Sequence, residues 1–523
     1  MKVSVIVPVF NPGADIDDCI ASLLGQSLPS TDYEVIFVDD GSTDATPARL
    51  DALAARRANV RVEHTPNSGW PGRPRNIGLD LARGDYVYFV DNDDWITPDA
   101  LRRLHAMAEL DRADIVVGKV VGHGRGVNRH LFARNRHGER FDDPVLLTLL
   151  TPHKLFRRAF VEQHGLRFPE GRRRLEDHPF VVGAYFAAQR ISVLADHPCY
   201  HWVRRHDATA SSRSWNAEGY FRNLREVLEL VEARTEPGPW REALMAHWYR
   251  EKMLRRVGGP RWLGNNAERR RELYESVRPL ALERFGEDVH RQLHFNLRVR
   301  SKLLRAGHYD GLERLARLER RLEPVVRVKG IDGGGTHLVL HLASQLRDPR
   351  GGLRFERAGE RTVWVPPAAL EPLLAEPDRD LTGELRRSTV SVYLHSLEDA
   401  SQYPLPARTR VRMEEATTPG RVRPRMLTTV PIAPTAAAAG GALPPGRWEI
   451  RAELSVAGFS RATTVQRKGA PLVVTTFPPG LIVVGEEPPP PPAFAVRAYR
   501  RLPDPAKKAL KRTRATAAAG ARG

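Results

Sequence analysis

The 523-residue chain predicts an α/β domain with a mostly parallel sheet over 1–215, then a helical linker over 216–325. A β-sandwich over 326–487 follows, with a Pro-rich spacer and basic tail over 488–523. Three observations predict this order. Apolar strand runs alternate with helical stripes in the first part, the helical period stands alone in the second, and short alternating runs broken by Pro and Gly fill the third.

Val3–Phe10 is a β-branched run expected of a strand buried on both faces. Ile16, Cys19, Ile20, Leu23 and Leu24 then form one helical stripe. Tyr33–Val38 is a second strand running into Asp39-Asp40-Gly41-Ser42-Thr43-Asp44, where Ser42 or Thr43 is placed to cap the next helix. Val60–Glu63, Tyr86–Val90 and Ile115–Val117 are further strands, the second ending in Asp91-Asn92-Asp93-Asp94. Acidic loops at strand C-termini place a ligand crevice along that sheet edge. In the linker, Tyr220, Leu224, Val227, Leu228 and Val231 make one stripe, and the segment shows packing features without a chemical constellation. Runs such as Leu338–Leu342, Val390–Leu394 and Trp448–Leu454 predict the sandwich.

Composition removes several classes. Hydrophobic residues at 41 % supply real cores. The longest apolar runs reach about eight residues, far short of the ~20 that cross a bilayer, and the first ends in Asn11-Pro12-Gly13 without a cleavage signal. Two cysteines, Cys19 and Cys199, build neither a disulfide framework nor a four-thiolate zinc site, so a reducing, cytoplasmic setting is expected. The net charge of +18 asks for a polyanionic partner. Nucleic acid is not expected, because aromatics are few (7 %) and no RNA-binding motif appears. The tail mixes Phe494, Tyr499 and Leu502 with nine Lys/Arg, which suits contact with an anionic membrane surface or simple disorder.

The acidic loops carry the chemistry. Asp91-Asn92-Asp93-Asp94 crowds carboxylates that a hard cation would relieve, although a structural acidic turn has the same spelling. Trp95, Ile96 and Arg102 break an EF-hand reading. No G-x-G-x-x-G and no P-loop motif is present, which argues against a nicotinamide dinucleotide site and a Walker-type site. Asp40 can accept from a base imide or ribose, and Asn67–Asn76, with Arg73 and Arg75, suits a phosphate or nucleoside. Glu176-Asp177 opens a helix, either as a favourable charge on its dipole or as a general base. Arg204, Arg205 and His206 suit a diphosphate clamp or a solvated surface.

Taken together, VSVIVPVFN (3–11), VDDGSTD (38–44), FVDNDDWITPDAL (89–101) and LEDHPF (175–180) resemble the family 2 inverting glycosyltransferases of GT-A fold. NSGWPGRPRNIGL (67–79), GRGV (124–127), LTPHKLFRR (150–158), RFPEGRRRLEDHPF (167–180) and QRISVLAD (189–196) resemble, within it, the TarS-type wall teichoic acid β-N-acetylglucosaminyltransferases. Trp70 stands where that type has a second glycine, and leaves the donor open.

The resemblance implies a UDP-sugar donor, expected to be UDP-GlcNAc, with Mn²⁺ or Mg²⁺ as cofactor. Pro8 and Phe10 would line the uracil pocket, Asp40 would accept from its imide, and Asn67 and Arg75 would complete the nucleoside side. Asp91, with Asn92 beside it, would face ribose and donor sugar, and Asp93 would hold the metal. Asp177 would be the base with Glu176 beside it, and Arg205 and Ser212 would approach the diphosphate. The implied acceptor is an anionic polyol-phosphate polymer, and the implied assembly a homo-oligomer. Arg157, Arg158 and Arg172–Arg174 are the arginines expected to track its phosphates. A neutral exopolysaccharide or glycolipid acceptor remains the alternative within the class, and a non-catalytic glycan-binding scaffold the alternative outside it.

Overall fold

The computed structural model describes residues 1–204, 216–416, 418–478 and 480–485. Its first part is a nine-stranded sheet of β1 (Val3–Val9), β2 (Tyr33–Asp39), β3 (Val60–His64), β4 (Tyr86–Phe89), β5 (Trp95–Ile96), β6 (Ile115–His123), β7 (Arg136–Glu139), β8 (Leu155–Arg157) and β9 (Ile191–Val203). The order is β3-β2-β1-β4-β8-β6-β9-β5, with β7 also paired to β9. The first four strands are mutually parallel, as are β6 and β9, while β8 runs antiparallel between β4 and β6. All seven residues of β1 and of β2 are buried, as a strand covered on both faces requires.

The chain extends the sheet outward from β1 to β3, then crosses back to place β4 on the other side of β1. That reversal is the switch point where a parallel sheet opens a crevice. It puts the loops after β2 and β4 on either side of the β1 C-terminus. The crossover includes the helix Gly72–Leu81, which packs over β1 and β2. Gly78 makes the approach possible: a Cβ there would stand 2.3 Å from Ile6 Cγ2.

One local expectation fails. The second helix starts at Thr46, and neither Ser42 nor Thr43 caps it. Both hydroxyls accept from Asn11 instead, Ser42 Oγ from its backbone N–H and Thr43 Oγ1 from its amide. Asp44 Oδ1 accepts from the Thr46 N–H, so the acidic residue takes the terminal donor. The hydroxyls thus tie the first two loops of the crevice together.

Helices fill 217–321, opened by Ala217–Ala233 with Asn216 capping through the Glu218 N–H. Its apolar stripe is buried, and its polar side reaches back to the first domain, where Asn223 donates to the Arg174 carbonyl and Arg173 pairs with Glu226.

The strand-rich part is a two-layer sandwich. One sheet holds β10 (Glu323–Gly334), β11 (His337–Arg347), β12 (Arg354–Ala358) and β13 (Arg361–Val365). The chain then supplies β14 (Thr389–Ser396) and β15 (Gln402–Pro404) to the other sheet. It returns to the first with β16 (Arg408–Glu415) and β17 (Arg421–Ile432), and β18 (Gly446–Val456) with the later strands Phe459–Thr464, Val473–Phe477 and Leu481–Gly485 completes the second. Among the described residues no helix is long and apolar enough to cross a membrane.

Candidate active site

The crevice is built from three segments. On one side, the buried Asp40 carboxylate accepts from the Ser68 N–H at 2.9 Å and the Ser68 hydroxyl at 3.0 Å, while Asn67 donates to the Asp40 carbonyl at 2.7 Å. Gly41 between them has φ +74°, and a Cβ there would meet the Asn67 nitrogen at 2.7 Å. Pro8 is buried in β1, and Phe10, just past its end, is 40 % exposed. An exposed aromatic at the strand's mouth is free to stack on a base.

At the centre, Arg75 is buried and donates to Asp91 Oδ1 at 2.8 Å and Glu176 Oε1 at 3.3 Å, with its guanidinium 5.3 Å from the Phe168 ring centroid. One cation thereby joins the loop after β4 to the start of the helix Asp177–Ala187. Asp91 Oδ2 accepts from His153 Nε2 at 3.1 Å. Burial would raise the Asp91 carboxyl, but His153 and Arg75 together hold it well below the usual carboxylate range. His153 stacks on Tyr200, with ring centroids 4.0 Å apart. The Tyr200 hydroxyl accepts from the Asp91 N–H and donates to Asp94 Oδ2 at 2.6 Å, whose Oδ1 accepts from the Val203 N–H.

Asp94 is therefore a tether between the acidic loop and β9. Burial, with Asp91 and Asp93 nearby, pushes its carboxyl up to about 8. Three carboxylates crowded in one loop, raising the pKa of the innermost, make the charge imbalance that a hard divalent cation corrects. Asp91, Asp94 and His153 bring potential ligand atoms within 4.8 Å of one another. Half-buried Asp93 stands in the same loop, and a carboxylate and imidazole donor set of this kind fits Mg²⁺ or Mn²⁺.

On the far side, Leu175 takes φ +62°, a left-handed conformation costly for a branched side chain, and so aims Glu176 and Asp177. Their side chains are 14 % and 21 % exposed, recessed but reachable. Asp177 Oδ1 accepts from His178 Nδ1 at 2.8 Å. Burial works against its charge, yet His178 keeps Asp177 below the usual carboxylate range, while burial and the Asp177 charge raise Glu176. The two adjacent carboxyls are pushed apart, as a pair with different tasks requires. Trp70 closes this side: Arg174 lies over its ring at 5.6 Å, and its buried indole N–H faces Glu176.

Asp40, Asn67, Arg75, Asp91, Asn92, Asp93, Glu176 and Asp177 thus come from the loops and helix starts that meet at this edge. Arg205 and Ser212 lie outside the described residues, as does the basic tail. Of the arginines expected to track the acceptor, Arg172 is exposed and the other four are engaged within the chain. Arg157 pairs with Asp114, Arg158 with Glu162 and Arg173 with Glu226, and Arg174 covers Trp70. His153, Tyr200 and His178 are site residues that no spacing singled out, although His178 adjoins Asp177. Asp94 and Ser68 lay inside the acidic loop and the Asn67–Asn76 loop without a role of their own.

Residues 4–194 match the glycosyl transferase family 2 domain, and residues 217–316 match the glycosyl transferase TarS linker domain. The chain is 35 % identical over 235 residues to a poly(ribitol-phosphate) beta-glucosyltransferase of Bacillus spizizenii, covering 45 % of this chain and 37 % of that protein. It is similar to the crystal structure of S. aureus TarS 1–349 in complex with UDP-GlcNAc, at 26 % identity and TM-score 0.54, covering 67 % of this chain and 98 % of that one. The S. aureus TarS crystal structure, at 20 % identity and TM-score 0.54 over 92 % of this chain and 85 % of that one, shares the fold.

Proposed function

We propose that this chain, which carries a family 2 glycosyl transferase domain joined to a TarS-type linker, is an inverting glycosyltransferase that moves GlcNAc from UDP-GlcNAc onto a hydroxyl of an anionic polyol-phosphate polymer. The observation that carries the reading is Arg75, whose buried guanidinium binds the acidic donor loop and the base-bearing helix at once. A separation between those two segments would leave nucleotide-sugar and acceptor in different places. The donor is argued from the likeness to a UDP-GlcNAc complex, and the acceptor from the relative's substrate and this chain's positive charge.

Asp177, ionised and hydrogen-bonded by His178, takes the proton of the acceptor hydroxyl. The oxygen attacks the anomeric carbon from the face opposite the diphosphate. The bond from that carbon to the diphosphate oxygen breaks, and UDP leaves with the electron pair. One displacement turns an α-linked donor into a β-glycoside. Arg75 fixes Asp91 against the donor and Glu176 beside the acceptor. A divalent cation at Asp93 would supply neutralising charge for the departing diphosphate.

Asp177→Asn tests the assignment. UDP-GlcNAc affinity by calorimetry should stay within about twofold, while transfer to a poly(ribitol phosphate) oligomer falls by at least ~10²-fold. Unchanged turnover would remove Asp177 from the base role. Transfer to a neutral glycan alone would displace the acceptor.

A further inference from the structure

Four of the arginines expected to track the acceptor, Arg157, Arg158, Arg173 and Arg174, are engaged within the chain, and a different arginine row stands open in the sandwich. β16 is an edge strand, paired to β17 alone. Its period is two: Thr409, Val411 and Met413 are half-buried, the last two against the core, whereas Arg408, Arg410 and Arg412 are exposed. Alternate residues on a strand stand about 6.8 Å apart on one face. Among the described residues, none of these three arginines makes an ion pair or a side-chain hydrogen bond.

The row continues across the sheet. Arg410 pairs in register with Leu427, Leu427 with Ala343, and Ala343 with Arg327 on β10, so Arg327 shares the face of Arg410 and is likewise exposed. Arg408 aligns with Thr429 and, beyond it, His341. Arg412 aligns with Arg425, which is held by Glu414 at 3.0 Å.

A charged edge strand has an ordinary purpose, blocking edge-to-edge pairing. Mixed signs achieve that without repulsion, as they do elsewhere on this surface. Three like charges at adjacent same-face positions, with a fourth in line across the sheet, repel one another until an anion lies over them. The ligand that matches is itself periodic: a chain of phosphodiesters laid along the strand, each phosphate taken by a guanidinium fork.

We propose that Arg408, Arg410, Arg412 and Arg327 form a second, non-catalytic binding face for a polyol-phosphate chain, holding the polymer while its hydroxyls are presented to the active site. The inference rests on the acceptor named above and adds where that acceptor is gripped.

The test uses the full chain with the triple variant Arg408→Thr, Arg410→Thr and Arg412→Thr, which keeps strand propensity. A control removes three exposed arginines elsewhere, Arg56→Gln, Arg57→Gln and Arg234→Gln. The probes are a long poly(ribitol phosphate) and a two-unit oligomer too short to reach both faces. Affinity for the long polymer should fall at least tenfold in the triple variant and less than threefold in the control. The slope of log affinity against log salt should shrink by about two to three, near one per lost phosphate contact. KM for the long polymer should rise similarly, with KM for UDP-GlcNAc and turnover of the short oligomer unchanged. Equal losses in triple variant and control would make this bulk charge, and no loss in either a solvated edge strand; both overturn the proposal. If neither protein glycosylates the polymer yet only the triple variant loses binding, the face stands and the acceptor assignment falls.

Discussion

Burial alone would drive the Asp177 carboxyl upward, and a base must be ionised to take a proton. His178 resolves the conflict: through its charge and the hydrogen bond of its Nδ1 it holds the Asp177 carboxyl below the usual carboxylate range, while burial lowers the pKa of His178 itself. Activity is therefore lost only when pH falls through a depressed Asp177 pKa. In His178→Phe that donor is gone, the folded pKa rises, and the acid limb of kcat/KM should move toward neutral by about one pH unit. A limb that stays in place would show that His178 does not tune the base. Asp93→Ala belongs to the same scale. If the metal is held there, calorimetry should show UDP binding strengthened by Mn²⁺ in the unsubstituted chain and not in the variant, with metal-free binding equal in both, because Asp94 and Asp91 still hold their protein donors. Asp40, Asp91 and Asp177 were legible in the sequence because each stands in a loop at a recognisable strand or helix boundary. His153 and Tyr200 were not: they reach Asp91 from 62 and 109 positions away, and no spacing rule spans such a distance.

At the scale of elements, the helix Gly72–Leu81 couples packing to chemistry. Arg75 sits one turn before Gly78, and Gly78 rests on Ile6 of β1. Gly78→Ala should gain helix propensity yet destabilise by ~1–3 kcal/mol, because the new Cβ must displace a fully buried side chain. The same shift moves Arg75 off Asp91 and Glu176, so transfer should drop more than stability explains. Ile6→Ala opens the space, and thermal melts of the double variant should show a loss smaller than the sum of the two singles. Additive losses would mean that the contact is not the cause. The strand–helix alternation was legible for a related reason, since β1 and β2 are buried on both faces and read as unbroken apolar runs. The start of the helix at Thr46 was not. Ser42 and Thr43 look like caps locally, and only the fold reveals that Asn11 claims their hydroxyls.

At the scale of the whole molecule, the catalytic domain and the sandwich meet on a buried cation. Lys119 of β6 is 2 % exposed, its Nζ has no hydrogen-bond partner among the described residues, and it lies 3.1 Å from the Tyr403 ring centroid of β15. Tyr403 donates to the Asp196 carbonyl, while Arg129 stacks on Tyr393 and pairs with Glu453 around it. Composition showed a basic protein and periodicity showed a sandwich, but a side chain crossing between two domains leaves no pattern in either. Burial holds the Lys119 pKa well below its ordinary 10.5. In the folded chain it sheds its proton early, whereas the unfolded chain keeps it up to 10.5, so stability rises with pH between the folded and unfolded values. Below that window the full cost of a buried, unpaired ammonium is present, offset only by the ring. Lys119→Met keeps the length of the side chain and removes the charge, so it should stabilise the protein at pH 7 by ~1–4 kcal/mol. The advantage should shrink as pH is raised toward 10.5, where wild type carries less of the penalty. Melting curves of both proteins across that range decide it: a Met variant that melts lower than wild type at pH 7 would show that the ring and the neighbouring Asp196 and Asp399 more than offset the burial of the charge.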